Sequence, residues 1–69
     1  MYDYGKLRGR IVEKFGTISA FTKALGSSTV TVSAKLNNKS GFSRGDIERW
    51  SELLEIPFVE IGLYFFTKI

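Results

Sequence analysis

Residues 17–36 read TISAFTKALGSSTVTVSAKL, and the spacing of their apolar side chains around one glycine decides how the rest of the chain must fold. Ile18, Phe21, Ala24 and Leu25 lie three or four positions apart, which places them on one face of a helix. Thr17 stands just before that segment, where its hydroxyl can accept from the orphan N–H groups of the first turn. Gly26 ends the helix, because glycine takes the positive-φ conformation of a helix terminus at little steric cost. Ser27 and Ser28 supply a hydroxyl cap for a second helix beginning near Thr29, on which Val32 and Leu36 are one turn apart and point inward.

The outward side of that second helix carries Val30, Thr31, Ala34 and Lys35: small, hydroxyl-bearing and aliphatic side chains with one cation and no carboxylate. Such a surface suits close approach to a polyanion. Short side chains permit contact, hydroxyls bond phosphates or bases, and methyl groups meet the thymine methyl. A weakly helical, β-branched surface segment without any role would have the same composition.

Phe21, Gly26, Val32 and the run Val32-Ser33-Ala34-Lys35-Leu36-Asn37-Asn38-Lys39 resemble the Cro and phage-repressor type helix-turn-helix family, in which one inward apolar residue precedes the turn glycine by five positions and another follows it by six. The resemblance covers residues 4–65 and implies a small, stand-alone, Cro-like phage regulator with a lambda-repressor-like DNA-binding fold. Three positions depart from the family pattern. Thr22 stands where a small alanine is usual at the helix crossing, and Val30 and Ala34 stand where family members often carry Gln, Asn or Arg.

Sixty-nine residues make one domain, and a chain this short buries only about 60% of its unfolded surface, so its core must be efficient or shared. One Trp, three Tyr and six Phe help to fill it. The absence of Cys and His closes the disulfide and zinc-finger routes to stabilising a small basic domain. No apolar run approaches ~18 residues, so neither a membrane span nor a signal peptide is expected, and a cytoplasmic, nucleoid-associated protein of a bacterial host is the matching expectation. The net charge of +3 conceals an asymmetry. Residues 1–44 hold eight Lys or Arg against two acids, a net of +6, and residues 45–69 hold two against five, a net of −3. A split of this kind orients a small protein on a polyanion, or simply solvates its two ends.

Along the chain, Asp3 can cap a first helix to about Phe15, with Tyr4, Leu7, Ile11 and Phe15 on its apolar stripe and Gly16 closing it. Its other faces carry Lys6, Arg8, Arg10 and Lys14, of which the first three are candidate phosphate contacts in the family fold. The loop Asn37-Asn38-Lys39-Ser40-Gly41 suits phosphate contact or a plain connection. Ser43 and Asp46 have capping-box spacing and open a fourth helix to about Leu54, with Ile47, Trp50, Leu53 and Leu54 inward. Pro57 suits the first position of a last helix. That helix has two apolar stripes, Phe58, Ile61, Gly62 and Phe65 on one side and Val59, Leu63 and Phe66 on the other. One short helix cannot turn both toward a single core, so Val59, Leu63, Tyr64, Phe66 and Ile69 are expected to meet a partner, most simply a second copy, unless the tail folds back over its own core.

No acid–base pair, nucleophile, phosphate loop or metal-ligand cluster is visible, so neither catalysis nor a cofactor is expected. The expected architecture is all-α, a compact bundle of about five short helices containing the helix-turn-helix. The expected partner is double-stranded DNA read as operator half-sites by a homodimer. Thr29, Val30, Ala34 and Lys35 would lie near base edges, Lys35 on guanine and Val30 on a thymine methyl, with Ser28, Thr31, Ser33, Asn37, Asn38 and Lys39 nearer the backbone. The competing expectation, from the outward Val30 and Ala34 and the doubled apolar stripe, is a protein-binding antirepressor or modulator that uses the same fold to engage a phage repressor.

Overall fold

Thr17 and Ser28 do cap the two helices around Gly26. In the computed structural model, which describes all of residues 1–69, the Thr17 hydroxyl accepts from the Ala20 N–H at 3.0 Å and the Ser28 hydroxyl from the Thr31 N–H at 3.2 Å. Gly26 has φ 76 and ψ 28, the left-handed conformation that the turn requires. The chain forms five α-helices: α1 (Gly5–Phe15), α2 (Ile18–Leu25), α3 (Thr29–Leu36), α4 (Arg44–Leu54) and α5 (Ile61–Phe65), with a 3-10 turn at Phe58–Glu60. Ser43 and Asp46 make the expected reciprocal capping box at the start of α4. Asp3 works one residue further out than expected, its carboxylate accepting from the Gly5 N–H at 2.8 Å while Tyr4 occupies the cap position of α1.

The core lies where the helical stripes converge. Leu7 and Ile11 of α1, Phe21 of α2, Val32 and Leu36 of α3, Trp50 and Leu54 of α4 and Tyr64 and Phe65 of α5 are buried together with Tyr4 and Ile56. Phe42, in the loop before α4, packs edge-on against Trp50 at 4.8 Å, Phe65 at 5.1 Å and Tyr4 at 5.4 Å between ring centroids. On α2 the inward face is rotated slightly from expectation. Thr22 is buried, its hydroxyl donating to the Ile18 carbonyl at 2.8 Å, and Ala24 is exposed.

The C-terminal segment departs most from the sequence reading. Pro57 precedes the 3-10 turn rather than starting an α-helix, and a turn of three residues rather than 3.6 shifts the faces that follow. Phe58 is therefore 87% exposed instead of inward, and Tyr64, expected on a partner surface, is buried in this chain's own core. The tail does fold back. Asp3 N–H donates to the Thr67 carbonyl at 2.7 Å, and Tyr2 and Lys68 form an antiparallel bridge.

Phe21→Ala should cost about 3–5 kcal/mol and leave little folded protein at 37 °C, whereas Phe58→Ser should move stability by no more than about 0.5 kcal/mol. Thermal unfolding followed by circular dichroism separates the two, and equal losses would contradict this placement of the faces.

Candidate functional site

The exposed side of α3 is a surface held in place at both ends of its helix. Ser28 caps its start and also donates its hydroxyl to the Thr31 hydroxyl at 2.9 Å, so these two side chains satisfy each other. At its end, the Arg8 guanidinium donates to the Asn37 side-chain oxygen at 2.8 Å and reaches the Leu36 carbonyl at 3.4 Å. A guanidinium there satisfies orphan carbonyls and opposes the negative end of the helix dipole. Between these fixed ends, Thr29, Val30, Ser33, Ala34, Asn37 and Lys39 line a shallow depression of about 310 Å³. Val30, at 80% exposed, is its most prominent apolar side chain.

Several residues expected to touch nucleic acid are occupied elsewhere. Lys35 does not extend from α3. Its ammonium donates to the Asp46 carboxylate at 3.0 Å and to the Gly41 carbonyl at 3.1 Å, lies 5.8 Å from the Phe42 ring centroid, and leaves the side chain 15% exposed. Asn38, with φ 62, turns its amide toward the N-terminal segment, accepting from the Tyr2 N–H at 2.9 Å and donating to the Tyr2 carbonyl at 2.8 Å. Arg10 covers the end of α4, donating to the Leu54 carbonyl at 2.9 Å and the Glu55 carbonyl at 2.8 Å while pairing with Glu13 at 3.0 Å. Lys6 sits 5.1 Å from the Tyr64 ring centroid. Composition marks Lys35 and Arg10 as basic but gives no sign of the carbonyls that claim them. These contacts appear only when distant segments meet.

With this geometry in place, the comparisons are decisive at the level of family. Residues 1–68 match the family described as "Protein of unknown function (DUF739)". The chain belongs to that family. Among solved structures, this DUF739 chain is similar to the solution structure of the modulator of repression (MOR) of the temperate bacteriophage TP901-1 from Lactococcus lactis. The two are 42% identical, the match covers 99% of this chain and 93% of that one, and the TM-score is 0.86. No curated protein sequence matches the chain. The likeness to a small phage regulator therefore holds, with DUF739 as the family that matches and a modulator of repression as the structural relative.

The second exposed surface of the DUF739 chain is C-terminal. Phe58, Val59, Leu63, Phe66 and Ile69 all show more than half of their surface. Arg44, Ile47, Glu48, Phe58, Ile61 and Phe66 line a groove of about 400 Å³ between α4 and the last segment. No helix is long and apolar enough to cross a membrane.

Asp46 ties α4 to α3 through its ion pair with Lys35. The Ser43 N–H holds its carboxyl below the usual carboxylate range, helped by Lys35 and opposed by burial, and Arg49 lines the same cleft. A carboxyl lowered in the folded state stabilises the fold fully above its unfolded value of about 3.9, and that contribution falls away as the pH drops through it toward the lower folded value. Wild-type thermal stability should therefore decline below about pH 4 more steeply than that of Asp46→Asn. Unfolding midpoints measured from pH 7 to pH 2.5 check this, and parallel curves would refute it.

Proposed function

We propose that the chain modulates a phage repressor by binding the repressor protein through the exposed face of α3. The observation that carries this reading is the chemistry of that face. A fully projecting valine stands over a depression lined by small side chains, and the one cation of the helix is turned away to Asp46. Burying an aliphatic side chain such as Val30 against a protein contributes about 1.5–3 kcal/mol, whereas a nucleic-acid groove rewards cations and paired hydrogen-bond donors. The similarity to a modulator of repression over nearly the full length of both chains supports the same class of action.

A second reading, in which α3 enters the major groove of an operator, draws support from the glycine corner, the exposed Ser28-capped end and the absence of acids on α3. In that reading Thr29, Ser33 and Lys39 would carry the contacts. The exposed Val59, Leu63, Phe66 and Ile69 would join two copies at half-site spacing.

One titration distinguishes the two. Labelled chain is mixed with the DNA-binding domain of a repressor from the same phage, and separately with operator duplex, across a range of salt concentrations. Protein binding that varies little with salt, and that Val30→Glu weakens more than tenfold, is the expected result. Tight duplex binding with a steep salt dependence, indifferent to the repressor domain, would reverse the assignment.

A further inference from the structure

Lys35 is the only cation of α3, and its ammonium faces away from the exposed side into a cleft of about 280 Å³ lined by Thr31, Asp46, Arg49 and Trp50 among others. Two acceptors hold it there, the Asp46 carboxylate and the Gly41 carbonyl. The carboxylate is itself fixed, since the same oxygen accepts from the Ser43 N–H at 2.9 Å and the Asp46 N–H returns a bond to the Ser43 hydroxyl at 3.0 Å. The capping box of α4 thus presents a rigid anion to the middle helix of the corner. A lysine released from this arrangement would have four methylenes with which to reach past α3, whose exposed face bears no acid. We infer that Asp46 is a specificity-determining residue: by holding Lys35 off the exposed face of α3, it withholds from nucleic acid the charge that this helix corner would otherwise offer, and leaves the face to a protein.

This inference rests on the protein-binding reading of α3. Failure of the chain to bind a repressor domain would remove that reading. The inference itself is tested on duplex affinity alone.

The test compares the full-length chain with Asp46→Asn, Asp46→Asn/Lys35→Ala, Lys35→Ala and Glu52→Gln on a 20-base-pair duplex of random sequence at low salt. Asparagine keeps an acceptor for the Ser43 N–H but removes the charge that binds Lys35. Glu52→Gln makes the same change in net charge on an exposed position of α4, with Lys35 still held. The expected result is a gain of about tenfold in duplex affinity for Asp46→Asn, with a salt slope steeper by about one unit, against a gain of no more than about twofold for Glu52→Gln. Adding Lys35→Ala should abolish the gain. Acetylation of Lys35 by acetic anhydride, read by mass spectrometry, should lag behind that of exposed Lys39 in the native chain and match it in Asp46→Asn. A gain equal to that of Glu52→Gln, or one that survives Lys35→Ala, overturns the inference. Should Asp46→Asn fail to fold, Lys35→Ala decides alone: unchanged duplex affinity supports the held lysine, and a tenfold loss overturns it.

Discussion

The Trp50 indole, wedged between Phe21 at 4.9 Å and Phe42 at 4.8 Å, is the contact through which the helices of this small domain become one body. Both neighbours meet it edge-on, the arrangement that aromatic quadrupoles favour and that contributes about 0.5–1.5 kcal/mol per pair beyond the area removed from water. From Trp50 the edge contacts continue through Phe21 to Phe15 on α1 and through Phe42 to Phe65 and Tyr4, so one chain of rings touches every helix except α3. α3 is seated on the same core by Val32 and Leu36. A domain of this length cannot spread its core over many small contacts, and concentrating it in aromatics leaves the outer face of α3 free of any packing duty.

A second constraint is set by helix ends. Five short helices expose many terminal carbonyls relative to their length, and each needs a donor. Arg10 serves the end of α4, Arg8 the end of α3, and Lys35 the Gly41 carbonyl in the loop beyond α3. The basic N-terminal half and the acidic C-terminal half are therefore partly spent on each other and on backbone. Lys14 with Glu55 and Lys35 with Asp46 both cross that boundary. Net charge read along the sequence overstates the positive charge available to a polyanion for this reason.

Local chemistry made most of the fold legible. Caps at Thr17, Ser28 and Ser43, the positive-φ glycines at 16 and 26, and the stripes of α1 and α4 depend on residues within one or two turns, and they stand where the spacing places them. Residues outside any period were not legible. Phe42 and Ile56 lie in connections, where no helical repeat marks a side chain as inward, and yet both pack into the core. After Pro57, three residues of 3-10 geometry displaced the faces of the last helix, so Tyr64 went in and Phe58 came out. At the candidate site the helix α3 itself, and its lack of acids, were legible in the sequence. The fates of Lys35 and Asn38 depended instead on partners eleven and thirty-six residues away.

These constraints together give α3 a particular physical character. Ser28 and Arg8 fix its two ends, Val32 and Leu36 seat it on the core, and Asp46 draws its cation inward. What remains outside is short and apolar or hydroxyl-bearing, and it is held still before any partner arrives. A face already ordered would give up little conformational entropy on docking, which is the condition under which a modest area such as that around Val30 yields affinity. The glycine corner thus works here as a rigid mount, and what it recognises is decided by the side chains placed on it.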